Sequence, residues 1–445
     1  MMKPSTKISN DIIKLSLPVI VGMISHTLLN IVDTAMVGRL GDAALAAVGL
    51  TSYVILVSIL IFGSIHIGTQ AITSRRLGEK RYEEFKRIIY STFTLSMIIG
   101  IIVSISGFLL SPWIIRLLSN DSEIVKTGTR YLEIRYIGIF SMIAIFAIRG
   151  FVYGLARVKI DMIVSVLINL LNIVLNYFLI FGHWIFPRLE VQGAAIASII
   201  STCVGLVIYL TFVLLRIVKH LSEESKTPLI SREIMWQIIK ISAPRAGQSV
   251  SIIGFAIFLS LIGRIGVKEL AISNIIFKAF NFSFMIGIAI GTASATLVGR
   301  SLGEKNPTLA SRYGWHSVGL GSLTMGTIGI LFIFFPKEIM GIFTSNEKTI
   351  ATGVVPFRLL GAFQFIDAIG IVISRTLQGV GSTLYVMVSE LICIWGVLIP
   401  YSYYAVEIAK GDIVDAWWAL FMYIIAFASA MIWKFKEGSW KKIEI

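Results

Sequence analysis

The 445-residue sequence predicts an all-α polytopic membrane protein: twelve transmembrane helices, in two six-helix lobes related by a parallel pseudo-twofold repeat. Three observations predict it. Apolar residues make up 56% of the chain and charged residues only 14%, against about 25% charged in a soluble domain. The apolar residues gather in runs long enough, as helices, to cross a hydrocarbon layer about 30 Å thick. Short motifs of the first half recur in the second at a nearly fixed offset. This composition excludes a soluble globular enzyme, a disordered chain and a disulfide scaffold. Cys203 and Cys393 both sit inside apolar runs, so no disulfide framework is implied.

The first run, 12–37, follows a polar start. It is too long for a signal-peptide core and lacks a small-residue cleavage site, so it reads as a retained helix. The second run, 43–73, ends at a basic stretch. The third, 88–115, and the fourth, 128–155, are parted by Ser119, Asn120 and Asp121. Runs 160–183 and 191–217 complete a lobe of residues 1–218. Residues 219–235 are polar, contain Pro228, and read as a cytoplasmic linker. The second lobe, 236–445, holds runs 236–263, 268–299, 312–336, 351–377, 383–405 and 414–434. Pro18, Pro244 and Pro400 fall inside runs, which membrane helices tolerate because neighbouring groups re-satisfy the freed backbone.

The formal net charge of +14 would suggest nucleic acid in a soluble protein. Here the cations lie in alternate loops, so the expected partners are anionic lipid and no nucleic acid. One side carries Arg75, Arg76, Lys80, Arg81, Lys86, Arg87, Arg157, Lys159, Arg216, Lys219, Lys226, Arg232, Arg300, Lys305, Arg312 and the lysines of the C-terminal tail. The other holds most loop acids, among them Asp121, Glu190, Glu347 and Asp412. The positive-inside rule puts the basic loops and both termini in the cytoplasm of a plasma-membrane (bacterial inner-membrane) protein.

Leu77-Gly78-Glu79-Lys80 recurs as Leu302-Gly303-Glu304-Lys305, Gly38-Arg39 as Gly263-Arg264, Gly41 as Gly266 and Thr127-Gly128 as Thr352-Gly353, all 225 residues apart. Pro18 and Pro244, and Ser119-Asn120 and Ser345-Asn346, match at 226. Six runs separate equivalent points, an even number, so the halves share one orientation. In secondary transporters, substrate binds where such repeats meet and their rocking alternates its access.

Ionisable residues inside membrane helices are costly, and their default reading is functional. Asp33 lies near the outer end of the first run, where the helix dipole is negative, so it is no helix cap. His26, Asn30 and Asp33 share one helix face, and Asn169, Asn172 and Asn176 share a face of the fifth run. Together they suggest a polar pocket, with Ser198 of the sixth run a weaker addition; interhelical hydrogen bonding is the alternative for the asparagines. In the second lobe, Asp367 follows Gln364 by three residues, and Lys278 shares a face with Asn274 and Asn281. These, with Gln248, outline a second polar site, and we expect Asp367 and Lys278 to neutralise each other as a buried ion pair. Glu390 is a further membrane acid without an evident role. Met23, Met36, Phe284 and Met285 could line an adaptable pocket or simply pack.

Pro18 followed by Asn30-Ile-Val-Asp33-Thr-Ala-Met-Val-Gly38-Arg39-Leu40-Gly41 resembles the first helix of the multidrug and toxic compound extrusion (MATE) transporters. The Arg-Arg-Leu-Gly-Glu-Lys and Arg-Ser-Leu-Gly-Glu-Lys loops and Gln378-Gly379 are similar to that family too, and the DinF-like, often proton-coupled, branch most of all. The resemblance spans essentially the whole chain. It implies a monomeric antiporter exporting amphipathic organic cations or drugs in exchange for protons, or alternatively sodium, with no cofactor or resident metal. It implies that Asp33 is the first-helix aspartate of cation coupling, and that Asn172 and Asn176 are the polar pair of helix five. Some members carry an aspartate where Asn176 stands, and its loss removes a hard anionic sodium ligand. Branches with an acid in helix ten also carry one in helix seven, where this chain offers only Gln248, Ser249 and Ser251. Two other readings compete. A lipid or lipid-linked-sugar flippase would favour fourteen helices and more cavity arginines. An intramembrane enzyme finds no HExxH, no paired aspartates of the GxGD type and no clustered histidines.

Overall fold

A computed structural model describes residues 4–218 and 228–445. Lys219, Lys226, the Arg216 side chain and most of the expected linker lie outside the described residues. Among those described there is no strand. Among the described residues eleven helices are long and apolar enough to cross a membrane, and one bent pair, taken as a single span, makes a twelfth. Each span is labelled as one element: α1 (Thr6–Gly38), α2 (Asp42–Gly78), α3 (Glu84–Leu118), α4 (Ser122–Ile137, then Ile139–Gly154 after a 47° bend), α5 (Lys159–Phe181), α6 (Glu190–Leu215), α7 (Arg232–Ile265), α8 (Val267–Gly303), α9 (Pro307–Phe334), α10 (Glu347–Gly379), α11 (Thr383–Ile408) and α12 (Ile413–Glu437).

The chain forms two compact units. One is Pro18–Ala246; the other is Met1–Leu17 with Gly247–Ile445. The divisions between these units fall inside α1 and α7, beside Pro18 and Pro244. A proline there lacks the N–H that would bond the carbonyl four residues back, which loosens a helix where it changes neighbours.

The first unit, Pro18–Ala246, packs Ile55 and Ile59 of α2, Val103 and Ile115 of α3, and Leu132, Tyr136 and Ile143 of α4 into one core. Val37 of α1 joins Tyr131, Ile180, Val191 and Ala195 in a second. Gly150 and Gly154 let α4 lie against α2; a Cβ on Gly150 would overlap the His66 carbonyl. On α3, Ile102, Leu109, Trp113 and Leu117 are all more than 60% exposed on one helical stripe. Such a stripe suits a hydrocarbon solvent rather than water.

In the other unit the core gathers around Trp417, Phe258, Phe357 and Phe421, all fully buried. The Trp417 indole N–H donates to Ser273 Oγ at 3.0 Å, so its one polar atom is satisfied. α9 and α10 pack backbone to backbone at Gly329 and Gly361, where a Cβ on either would overlap the other's carbonyl.

The repeated Leu-Gly-Glu-Lys motif is also a repeated structure. Lys80 and Lys305 both take left-handed conformations, with φ of 59° and 55°. Their N–H groups donate to Leu77 and Leu302 carbonyls at 3.2 and 3.0 Å. The next N–H groups, of Arg81 and Asn306, reach back to Arg76 and Ser301 at 3.1 and 2.9 Å. Each turn ends a long helix by satisfying its last carbonyls.

Candidate functional site

In the Pro18–Ala246 unit, α1, α4, α5 and α6 surround a cavity of about 350 Å³. Helical spacing builds its walls. α5 contributes Asp161, Ser165, Asn169 and Asn172, and α4 contributes Arg135, Met142 and Arg149, seven residues apart and so on one face. α1 supplies Met23, His26, Asn30 and Asp33, and α6 supplies Ser198, Ser201 and Thr202.

At one end, Asn176 Nδ2 donates to Asp33 Oδ1 at 2.6 Å and to Asn172 Oδ1 at 3.0 Å. Asn172 Nδ2 donates to Ser198 and Ser201 hydroxyls at 3.3 and 3.2 Å. Those hydroxyls donate onward to the Ala194 and Ser198 carbonyls of α6. Rotating the Asn172 amide brings its nitrogen to 3.3 Å from Asp33 Oδ1 and its oxygen to 3.2 Å from Ser198 N and Ser201 Oγ, at the cost of the bond from Asn176, whose Nδ2 it then faces at 3.0 Å. Asn172 and Asn176 are buried, whereas Asp33 is half-buried. One turn below, Asn169 Nδ2 donates to Ser25 Oγ at 2.8 Å.

At the other end, Asp161 is buried and accepts from three side chains. Arg149 Nε donates to Oδ1 at 2.8 Å, Tyr153 to Oδ2 at 2.6 Å and Tyr209 to Oδ1 at 3.3 Å. Arg149 also lies 4.7 Å over the Phe146 ring. Among the described residues Arg135 makes no ion pair or side-chain hydrogen bond, although it faces the same cavity as Asp33.

The second unit treats its polar groups differently. Gln364 is fully buried and its Oε1 accepts from Ser283 at 2.5 Å, while its Nε2 has no partner among the described residues. Asp367 is 9% exposed, and its Oδ2 likewise has none. The expected ion pair between Asp367 and Lys278 is not formed. The α8 residues that turn inward are Ile276, Ala279, Ser283 and Gly287. Lys278 is five residues before Ser283, about 140° around the helix, and it is exposed with Asn274 and Asn281. Gln248 stands elsewhere: its Nε2 donates to Glu390 Oε2 at 2.7 Å, and its Oε1 accepts from Gln378 at 2.9 Å. Glu390, without an evident role in the sequence, thus has a partner.

A sequence profile of the MatE family matches residues 18–178 and 247–404. The chain belongs to the MatE family. The two matched stretches begin at Pro18, where one compact unit begins, and at Gly247, where the long segment of the other begins. A probable multidrug resistance protein NorM of Thermotoga maritima is 29% identical over 443 residues, covering 98% of this chain and 94% of its own. The multidrug resistance protein NorM of Burkholderia vietnamiensis is 25% identical over 438 residues, covering 96% and 93%. A MOP superfamily transporter from Pyrococcus furiosus, described as having a binding pocket of reversed polarity, superposes with a TM-score of 0.87 at 21% identity, over all of both chains. MATE proteins are multi-pass membrane transporters, not enzymes, and this chain shares their fold.

For a MATE chain, sequence reasoning found Asp33, Asn30, Asn172, Asn176 and Ser198, and the structure brings all five to one region. It missed Arg135, Arg149 and Asp161. The seven-residue spacing of Arg135, Met142 and Arg149 was a readable signal. So was Asp161 continuing the α5 polar stripe by whole turns from the first turn of that run.

Proposed function

We propose that this MATE protein is a monomeric secondary antiporter of the plasma membrane, exporting amphipathic organic cations or drugs by alternating access in exchange for protons, with Asp33 as the coupling group. The hydrogen bond of Asn176 to Asp33 beside a cavity is the observation that carries this reading. A drug's cation and a proton compete for one carboxylate, because either neutralises it. Proton arrival from outside then releases drug outward, and proton loss inside readies the site.

The surrounding amides can serve both charge states. Toward a carboxylate, Asn176 presents its N–H while Asn172 Oδ1 accepts from the same amide and holds it in place. Toward a carboxylic acid, a rotated Asn176 would present its oxygen, a buried atom without another partner among the described residues. Sodium is the less favoured ion, since a hard cation prefers several anionic or carbonyl oxygens and Asn176 brings no charge. Asn30 and Ser198 complete the polar wall. The relatives named above are NorM proteins, so placement in the DinF-like branch rests on motif resemblance. The C-terminal group of Asp367 and Gln364, with Gln248, Lys278 and Asn281 apart from it, lies outside the primary coupling path.

Loop charge supports cytoplasmic termini, with Arg81, Lys226 and Arg312 inside and Asp121 and Asn346 outside. Labelling of Lys226→Cys from outside, with Asn346→Cys protected, would reverse this orientation. A flippase would use cavity arginines on an anionic headgroup, and Arg135 is free for one while Arg149 is occupied by Asp161. The deciding experiment is drug uptake into everted vesicles under an imposed pH gradient, with and without sodium. Uptake that needs sodium and ignores the pH gradient would replace the proton with sodium.

A further inference from the structure

Coupling at Asp33 uses one end of the cavity. Its other end holds a carboxylate, Asp161, that the exchange of drug and proton at Asp33 does not require. Both carboxylates line the same cavity. Asn176 and Asp161 are fifteen residues apart on α5, so about 22 Å separates the two ends along the helix axis. Between them run Asn172, Asn169 and Ser165, each a polar side chain on the cavity face. The cavity, about 350 Å³, is large enough for several waters, and these polar side chains give them hydrogen-bond partners along an otherwise largely apolar lining.

Asp161 also lies close to the loop side. It is in the first turn of α5, two residues after exposed Lys159 and four after exposed Arg157. The groups facing it are Arg149 and Tyr153 from α4, Tyr209 from α6 and Ser165 from α5 itself, with His26 of α1 lining the same cavity. Arg149, Tyr153, Tyr209 and Asp161 thus sit between the cavity and a basic loop.

We propose that the proton held by Asp33 leaves the protein through this lobe, along the α5 polar stripe, with Asp161 as the last acceptor before the Arg157–Lys159 loop. The inference rests on Asp33 being the proton-coupling group. The step balances simply. The Asp33 carboxylic acid gives its proton to cavity water and becomes a carboxylate. The water chain delivers a proton to the Asp161 carboxylate, whose ion pair with Arg149 breaks. Asp161 then gives the proton to loop water and re-forms the pair. Proton exit and drug entry then need not share one route.

The test is drug transport in proteoliposomes against pH on the Arg157–Lys159 side, with pH on the opposite side fixed. Wild type should show a sigmoidal dependence. Asp161→Asn should flatten it, with at least a tenfold loss of rate at its optimum. Asp161→Glu should restore the profile at a displaced midpoint. Tyr209→Phe, which keeps the ion pair and removes one donor, should displace the midpoint too, and serves if Asp161→Asn does not fold. A group that only staples α4 to α5 predicts something else: one loss factor at every pH in Asp161→Asn and an undisplaced midpoint in Tyr209→Phe. That pattern overturns the proposal. Asp33→Asn run in parallel separates the two levels. If it transports as wild type does, the coupling role of Asp33 falls. If it abolishes driven transport while Asp161→Asn shows the uniform loss, only the exit route falls.

Discussion

The two halves share a helix order and a helix-ending turn, yet they hold opposite chemistry at equivalent positions. Adding the repeat offset of 225 to Asp33 gives Phe258, which is fully buried in the second core. Asn172 corresponds to Val397 or Leu398 at offsets of 225 and 226, and Asp161 to Val386 or Met387. Conversely, Asp367 corresponds to Met142 or Ser141. Duplication thus preserved backbone-defining residues, such as the glycines and the left-handed lysines, and not the ionisable ones. The first half places its carboxylates on a cavity with partners. The second places Asp367 in a packed interior where Oδ2 has no partner among the described residues. A shared scaffold therefore does not imply a shared site.

The widest separation should appear in transport. Asp33→Asn should cut gradient-driven export by about 100-fold or more at matched expression, being fixed in the neutral state. Asp367→Asn should cost less than about threefold in the same vesicles. Equal losses in both would erase the contrast between the halves.

Stability should separate two charge pairings next. Arg149→Met alone leaves Asp161 buried and uncompensated, which costs about 3–5 kcal/mol, and adding Asp161→Asn should recover much of it. Lys278→Met and Asp367→Leu share no contact, so their effects should add within about 0.5 kcal/mol. Detergent melting of both double-mutant cycles reads the difference; coupling between Lys278 and Asp367 would contradict the geometry.

A smaller effect is expected within the amide network. Asn176→Ala removes a donor to Asp33 and to Asn172 and should destabilise by about 1–3 kcal/mol. The corresponding change in the second half, Gln364→Leu with Ser283→Ala, removes both partners of one bond and should be nearly neutral. Smallest of all, exposed Lys278→Met should shift stability by no more than about 0.5 kcal/mol. A large loss there would mean that the lysine has a partner the described contacts lack.

Much of this was legible in the sequence, because membrane helices leave long, unambiguous apolar runs. The Asp33, Asn172 and Asn176 grouping was legible too, since each stripe has a helical period on its own helix. What the sequence could not give was rotation about the axis. Lys278 and Asp367 both lie in membrane helices, but five residues separate Lys278 from the α8 face that meets Gln364, and that angle forbids the pair. Arg135 and Arg149 were hidden for a related reason: they reach the Asp33 cavity from α4, across about a hundred residues of chain. The unit boundaries at Pro18 and Gly247 were equally hidden, because a helix that changes neighbours midway keeps one continuous apolar run.

The central claim is that proton and drug exchange on Asp33. Its most direct test is the proton itself: proteoliposomes loaded with a pH-reporting dye, with drug added and no gradient imposed. Wild type should move protons counter to the drug, at a rate that tracks drug flux. Asp33→Asn should move none while remaining folded and inserted. Drug-linked proton movement of wild-type size in Asp33→Asn would contradict the account.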